Sequence, residues 1–213
     1  MFAKTVSTRR AMLIASSGLL FPAFVSSAAQ ALLAPSPRAA EGPFYPVTEL
    51  TDRDSDLIKD AAAIESLGGQ ILALTGTLRD VNERAIAGAT IEIWQCDPTG
   101  IYLHPRDRNF ARFAKGFQGL GAALSDGGGR FGFRTIVPVP YPGRTPHIHL
   151  KVFVDGRARL TTQYYVRGHP LNARDGLFSR LGDDEKQLVQ MDVLPNSGSD
   201  ADWRADIDVV IAT

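Results

Sequence analysis

Two histidines separated by one residue, His147 and His149, form the first pair in this chain whose spacing could support chemistry. They lie in residues 147–155, where apolar and polar side chains alternate, as is typical of a β-strand with one buried face. Both imidazoles therefore leave the strand on the same side, opposite a purely apolar face that we assign to the core. Two such imidazoles can bind one metal ion, although an H-x-H pair in a strand is by itself more often incidental.

Two tyrosines are placed to join this pair. Tyr141 precedes His147 by six residues, in the proline-rich loop 138–144, which has little backbone freedom to lose on folding. Tyr102 follows a predicted strand and a turn that ends at Gly100. For either tyrosine alone, the alternative is a buried phenol that makes a hydrogen bond.

These residues belong to a series of motifs that spans about residues 41–170. The motifs are Glu41-Gly42-Pro43-Phe44-Tyr45-Pro46, Trp94-Gln95, Gly100-x-Tyr102, Pro140-Tyr141-Pro142, Arg144-x-x-His147-Ile148-His149 and Thr162-Gln163-Tyr164-Tyr165. Taken together, and in this order, they resemble the intradiol ring-cleavage dioxygenases, the family of the protocatechuate and catechol dioxygenases.

The resemblance implies a non-haem ferric ion bound by Tyr102, Tyr141, His147 and His149. Ferric iron is a hard cation that favours anionic oxygen, and coordination should ionise phenols whose pKa is otherwise about 10. Two tyrosinates and one hydroxide would then balance the ion's charge, while two neutral imidazoles complete the set.

The same resemblance implies the reaction. O2 is inserted into a catechol-type diol, and the ring opens between the two hydroxylated carbons to a cis,cis-muconate-type diacid, without an organic cofactor. Tyr141 is the ligand that substrate displaces, so it is also a general base, whereas Tyr102 stays bound. Arg144 and Gln163 line the substrate pocket, and Arg144 could stabilise the electron-rich ring carbon. From the residues alone, a surface salt bridge explains Arg144 equally well.

Two departures from the family leave substrate and assembly open. The loop between Tyr141 and His147 is shorter than in the best-known catechol and protocatechuate enzymes. The chain also shows no counterpart of the large helical N-terminal domain of catechol dioxygenases. The ring substituents of the substrate therefore remain open, and a homodimer is only the default expectation for the assembly.

Short strands joined by turns would position these side chains. The sequence predicts strands at 71–79, 89–96, 131–137, 147–155, 158–166 and 205–212, a short helix within 56–66 and a partly helical segment at 172–189. This pattern predicts an all-β fold, a β-sandwich with short helices and a long N-terminal arm. The sandwich domain is expected at 71–213 and the arm at 32–70.

The N-terminus resembles an export signal. Ser7-Thr8-Arg9-Arg10 precedes an uncharged apolar run at 11–29, and Ala29-Gln30-Ala31 offers a cleavage site. We therefore expect residues 1–31 to be a twin-arginine-like signal peptide, with the mature protein periplasmic or extracellular and without stable membrane insertion. A Sec signal and an uncleaved membrane anchor are the alternatives.

Composition excludes several other classes. The formal net charge of the 213 residues is zero, which gives no support to nucleic-acid binding. The single cysteine, Cys96, excludes an intrachain disulfide and thiolate zinc sites, and we expect it to be buried and inert. His104 and His169 are expected at the surface, with a place at the rim of the pocket as the alternative for His104. Phe44 and Tyr45 either cover the active site or serve as hydrophobic anchors.

Two rival functions remain. A secreted, non-catalytic β-sandwich binding module would suit segments 74–80 and 88–91, but it leaves the two tyrosines and the H-x-H pair unexplained. A cupin-type ferrous dioxygenase would need a carboxylate beside the histidines, and none lies at cupin-like spacing from His147.

Overall fold

The structure, a computed structural model, describes Met1 and residues 32–47, 54–197 and 200–212. Apart from Met1, these residues belong to one compact unit, Ala31–Thr213. The export signal predicted at 1–31 lies outside the described residues, Met1 excepted. No helix within the described ranges is long and apolar enough to cross a membrane.

Two β-sheets form the fold, and the predicted β-sandwich is confirmed. One sheet has the strand order β4-β1-β9-β8 and the other β3-β2-β5-β6-β7. The strands are β1 Ile71–Asp80, β2 Thr90–Trp94, β3 Leu120–Leu124, β4 Arg130–Ile136, β5 His147–Val154, β6 Arg157–Val166, β7 Gln190–Met191, β8 Leu194–Pro195 and β9 Trp203–Ile211. The helices are α1 Ala61–Ser66 and α2 Asp183–Leu188, with short 3-10 turns at Phe110–Arg112, Asn172–Arg174 and Phe178–Arg180.

The hydrophobic core lies between the two sheets. Leu72 and Leu74 of β1 are at most 1% exposed, and so are Ile148, Leu150 and Val152 of β5. The face of β5 assigned to the core is therefore confirmed. Burial of each such side chain contributes about 1.5–3 kcal/mol, so the apolar side of β5 fixes the strand's orientation and turns both histidines outward.

The outer face of the five-stranded sheet carries the candidate site. In the sheet register, His149 lies between Trp94 of β2 and Gln163 of β6, while His147 lies opposite Tyr165. Residues 32–47 form no helix or strand and run along the domain, where the Ala39 amide donates to the Thr161 carbonyl at 2.8 Å.

Several predicted boundaries differ from the structure. The helix expected within 56–66 begins only at Ala61, because the Asp60 side chain caps it by accepting from the Ala63 amide at 3.0 Å. Strand β3 was not predicted, since its sequence, Leu-Gly-Ala-Ala-Leu, has low β propensity and is held by pairing with β2. The short strands β7 and β8 were also not predicted. The partly helical character of 172–189 is confirmed.

Candidate metal centre

A buried carboxylate shapes the loop that leads to Tyr102. Asp97, which is 0% exposed, accepts hydrogen bonds through Oδ1 from the amides of Thr99 at 2.8 Å and Ile101 at 3.0 Å. Its Oδ2 accepts from the Ala114 amide at 2.8 Å. Asp97 therefore holds the backbone on both sides of Tyr102, at Thr99 and Ile101 before it and at Ala114 after it, which fixes the path of the chain into this residue.

Tyr141 occupies the first position of a tight turn. The Arg144 amide donates to the Tyr141 carbonyl at 2.9 Å, with Pro142 and Gly143 between them. Gly143 has a φ of 83°, so Pro at the second position and a left-handed Gly at the third give a type II turn. The rigid loop expected from the prolines is thus a turn that fixes Tyr141 relative to Arg144.

The two tyrosine-bearing loops touch at Gly100. Its φ is +79°, and a Cβ built there would lie 3.1 Å from the Pro140 carbonyl oxygen and 3.5 Å from the Tyr141 Cβ. A larger residue would be strained by its own backbone and would push the loops apart. Glycine at this position therefore allows the two phenols to approach each other.

Four aromatic side chains converge at this point, and they are the four predicted ligands. The ring centroids of Tyr102 and Tyr141 are 5.4 Å apart, and those of Tyr141 and His147 are 5.6 Å apart. The two histidine rings are 4.8 Å apart, and Tyr102 lies 6.2 Å from His149. The two Nε2 atoms are separated by 3.2 Å, a distance that two nitrogen ligands of one metal ion can adopt.

Both histidines are buried as neutral rings. His147 Nδ1 lies 2.6 Å from the Thr145 carbonyl oxygen, which can only accept, so the proton sits on Nδ1 and the lone pair on Nε2. Burial, with a further contribution from Arg144, lowers the pKa of His147 to about 4. Burial and the neighbouring His147 lower the pKa of His149 well below its usual value. Neutral imidazoles are the form that binds a metal.

The Tyr102 hydroxyl is the clearest sign that the site suits a cation. It is buried and has no hydrogen-bond partner among the described residues. Burial, then the nearby Cys96 and Tyr141, raise the pKa of Tyr102 well above its usual value. Burial likewise raises the pKa of Tyr141, although Arg144 opposes the shift. Leaving a buried hydroxyl unpaired costs about 1–3 kcal/mol, which a bound cation would offset while ionising the phenol.

The donor set therefore fits a hard, highly charged cation. Two phenol oxygens can become anionic ligands, and two neutral nitrogens add no charge, which matches what ferric iron requires. Among the described residues there is no cluster of three or more His, Cys, Asp or Glu side chains that could hold a metal ion, so this site depends on its tyrosines.

The two predicted pocket residues lie on neighbouring cavities. Gln163, the first of these residues, lines a cavity of about 210 Å³ between β6 and residues 37–40, together with Tyr165. Tyr141 and Arg144 line another of about 220 Å³. Arg144 Nη2 donates to Gln163 Oε1 at 2.6 Å, which joins the two walls. The alternative that Arg144 forms a surface salt bridge is excluded, because its ion pair is with the fully buried Asp175.

An aromatic cover closes the centre from the arm side. Phe44 stacks on Tyr102, with centroids 4.7 Å apart and planes inclined by 21°. Tyr45 meets Trp94 edge to face at 4.9 Å, and its hydroxyl donates to the buried Glu92 at 2.6 Å. Phe44 and Tyr45, which we call the aromatic cover, therefore both cover the site and anchor the arm.

Sequence reasoning missed two residues of the site and misplaced a third. Asp175 orients Arg144, and Thr145 orients His147. Neither the spacing nor the type of these two residues indicates a functional role in the sequence. The surface position expected for His104 is wrong, because this residue is 3% exposed, packs 5.9 Å from Phe44 and accepts from the Arg106 amide. His169 is half-buried.

Comparisons with known proteins show which family the chain resembles. A sequence profile described as Dioxygenase matches residues 40–209. The beta chain of protocatechuate 3,4-dioxygenase from Burkholderia cepacia is 35% identical over 144 residues, which cover 64% of this chain and 61% of that one. The chain spans about half to two thirds of the length of the curated relatives it matches.

Two solved structures share the fold. An intradiol ring-cleavage dioxygenase from Tetranychus urticae has a TM-score of 0.66 and 26% identity, over 84% of this chain and 95% of that one. The dioxygenase domain of a dioxygenase carbohydrate-binding protein fusion from Streptomyces sp. SirexAA-E has a TM-score of 0.64 and 28% identity, over 84% and 99%.

Proposed function

Since this chain belongs to the intradiol ring-cleavage dioxygenases, we propose that it cleaves a catechol-type diol with O2, using one non-haem ferric ion held by Tyr102, Tyr141, His147 and His149. The observation that carries the proposal is the convergence of these four rings, with the two Nε2 atoms 3.2 Å apart beside a buried, unpartnered phenol.

The two tyrosines are suited to different roles. Bound ferric iron would supply the positive charge that keeps phenols and catechol ionised, and the redox partner through which the ring reacts with O2. Tyr102 is 2% exposed and lies under the aromatic cover, so it stays in place. Tyr141 is half-buried, and its Oη lies 3.4 Å from Arg144 Nη1. Tyr141 Oη is therefore the oxygen that can accept a substrate proton and then be held aside by Arg144.

The reaction balances without a further reductant. The bond between the two hydroxyl-bearing carbons breaks, and both atoms of O2 enter the product, so catechol and O2 together give a cis,cis-muconate-type diacid. Arg144, held against Gln163, places positive charge beside the reacting ring and favours the electron-rich carbon that meets oxygen.

The cavity beside Gln163 favours a substrate with an anionic substituent. Its walls include the apolar Pro37, Leu177 and Val189 but none of the four predicted ligands, so the cavity can take a substituent of a ring that is bound at the metal. Among the described residues that line it, two are arginines, Arg38 and Arg180, and none is acidic. We therefore expect a carboxylated catechol to be preferred over unsubstituted catechol.

The test uses the purified, iron-loaded chain. Tyrosinate bound to ferric iron gives a red-brown to purple charge-transfer band, so we expect coloured protein with one iron per chain. Oxygen uptake should follow on a panel of catechol, protocatechuate and hydroxyquinol, with the opened-ring diacid identified by mass spectrometry. Arg180→Ala should lower kcat/KM for protocatechuate more than for catechol.

His149→Ala is the matched control for the metal, because it removes one ligand and leaves the core face of β5 intact. This variant should lose iron, colour and oxygen uptake together. A wild-type chain that stays colourless when loaded with iron and consumes no oxygen would exclude the ferric assignment and favour a non-catalytic sandwich module.

Export and assembly complete the proposal. We propose that residues 1–31 direct export and are removed after Ala31, which leaves the arm at 32–70 and the sandwich at 71–213. Cell fractionation and N-terminal sequencing of the mature protein test this, and Arg9→Lys together with Arg10→Lys should hold the protein in the cytoplasm if the signal is of the twin-arginine type. Light scattering tests the expected homodimer.

A further inference from the structure

Asp175 is a buried carboxylate whose two oxygens serve different partners. Its side chain is 0% exposed. Oδ1 accepts from the amides of Leu177 at 2.9 Å and Phe178 at 3.0 Å, which fixes the start of the 3-10 turn Phe178–Arg180. Oδ2 accepts from Arg144 Nε at 2.7 Å and from the Thr145 amide at 2.9 Å. One oxygen thus holds the local backbone, while the other reaches Arg144 and the chain leading to the metal ligands.

The contact at Nε determines where the rest of the Arg144 guanidinium points. This group is planar and rigid, so fixing Nε fixes the directions of both Nη atoms. Nη2 then donates to Gln163 Oε1 at 2.6 Å, and Nη1 faces Tyr141 Oη at 3.4 Å. The contact with Tyr141 is the longest of the three, so it is the one that can most readily change when substrate enters.

Gln163 is held just as firmly. Its Oε1 also accepts from the Tyr165 hydroxyl at 3.0 Å, and its Nε2 donates to the Ala40 carbonyl at 3.2 Å. Arg144 is therefore clamped between Asp175 on one side and Gln163 on the other. Only Nη1 is left directed at the centre formed by the four predicted ligands.

We propose that Asp175 is a positioning residue, whose Oδ2 sets the guanidinium of Arg144 against Tyr141 and the substrate ring. The expected effect on turnover rests on the proposed function. The position of the Arg144 side chain does not depend on it. Asp175 makes no hydrogen bond to a predicted ligand. It lines the cavity that Tyr141 and Arg144 share, and it acts on the centre through Arg144.

The test is Asp175→Asn in the full, iron-loaded chain. When the asparagine carbonyl oxygen keeps the Leu177 and Phe178 amides, its NH2 group faces Arg144 Nε and the Thr145 amide, which are both donors. A crystal structure of the variant should show the Phe178–Arg180 turn in place and the Arg144 side chain displaced from Gln163. We expect kcat to fall about 10- to 100-fold with iron content retained, and the charge-transfer band to shift because Tyr141 has lost its neighbour.

Three further variants separate positioning from a merely structural role. Asp192→Asn removes an exposed carboxylate paired with Arg167 and should leave kcat and the band unchanged. Arg144→Lys should reproduce the loss in kcat, and adding Asp175→Asn to it should change kcat little further, because both act through one guanidinium. Losses that multiply would overturn the proposal.

The crystallographic result decides the geometry independently of activity. An Arg144 side chain that keeps its place in Asp175→Asn refutes the inference, whatever the enzyme does. If instead the wild-type chain consumes no oxygen while Arg144 moves in the variant, the proposed function fails and the positioning role of Asp175 stands.

Discussion

Trp94 lies flat against His149, with ring centroids 4.6 Å apart and planes inclined by only 12°. Both residues sit in paired strands, β2 and β5, and Trp94 is fully buried. His147 is oriented by its hydrogen bond to Thr145, whereas His149 Nδ1 has no hydrogen-bond partner among the described residues. Stacking on Trp94 therefore takes over the orienting role that a hydrogen bond has at His147.

Replacing Trp94 should weaken iron binding. In Trp94→Leu, His149 loses the surface that holds its ring plane, and we expect iron affinity to fall about 10- to 100-fold, as for other residues that orient metal ligands. The lost burial should also cost about 3 kcal/mol in the free energy of unfolding. Competition with a chelator and urea denaturation measure the two effects. Trp94→Phe keeps an aromatic ring and should retain most of the affinity; equal losses in both variants would argue against stacking as the cause.

The two tyrosines should respond differently to loss of their hydroxyls. Tyr141→Phe should keep iron, alter the colour and slow turnover by about 10²- to 10⁴-fold, because a general base is removed. Tyr102→Phe should lose iron, since the buried oxygen has no substitute nearby. Metal analysis, visible spectra and oxygen uptake check both. Normal turnover in Tyr141→Phe would show that this residue is not the base.

The aromatic cover should slow the loss of iron. Phe44→Ala uncovers the Tyr102 ring, so water can reach the phenol oxygen, and transfer of iron to a chelator should become faster by on the order of 10-fold. Val47→Ala is the matched control, because Val47 lies on the same arm but is 72% exposed. Equal release rates in the two variants would mean that the arm does not protect the centre.

Acid should weaken the fold partly through Asp126. Hydrogen bonds from the amides of Arg130 and Gly128 lower the pKa of this carboxyl below its usual value of about 4. A group with a lowered folded pKa contributes stability above the unfolded pKa, and that contribution is lost as pH falls through the folded pKa. Asp126→Asn keeps an acceptor but cannot ionise. The difference in unfolding free energy between wild type and variant should be constant from pH 7 to 5 and shrink below pH 4; a difference independent of pH would contradict this account.

The only cysteine should be inert in the folded protein. Burial, with a smaller contribution from Asp97, raises the pKa of Cys96 to about 12, so almost no thiolate exists near neutral pH. A thiol reagent should label Cys96 only after unfolding in guanidinium. Rapid labelling of the native protein would show that the strand end around Cys96 opens readily.

The candidate site was predictable where chemistry follows local spacing. The alternation in β5 placed both histidines on one face, and the prolines around Tyr141 marked a constrained turn. Tyr102 was predicted as a ligand only from the order of the family's motifs, because no local pattern links it to the histidines. The fold was predictable for the same reason, since most of the core strands carry strong β-branched or alternating patterns.

Other parts depend on contacts between distant segments. Asp175 lies 31 residues from Arg144, in a polar stretch where an aspartate would ordinarily face solvent. His104 is buried and packs against Phe44 of the arm, a contact between distant segments that the residues around His104 do not indicate. Strand β3 exists through its pairing with β2, which lends order to a segment of small residues.

The parallel pairing of β1 with β9 has a consequence for how the domain forms. Leu72 pairs with Trp203 and Asp80 with Ile211, so the first strand of the sandwich takes its neighbour from the far end of the domain sequence. Such distant pairing makes folding slow, because a long loop must close before its contacts form. A ribosome-bound chain that lacks β9 would leave one edge of β1 open, and we expect that the sandwich matures only after that last strand has been released.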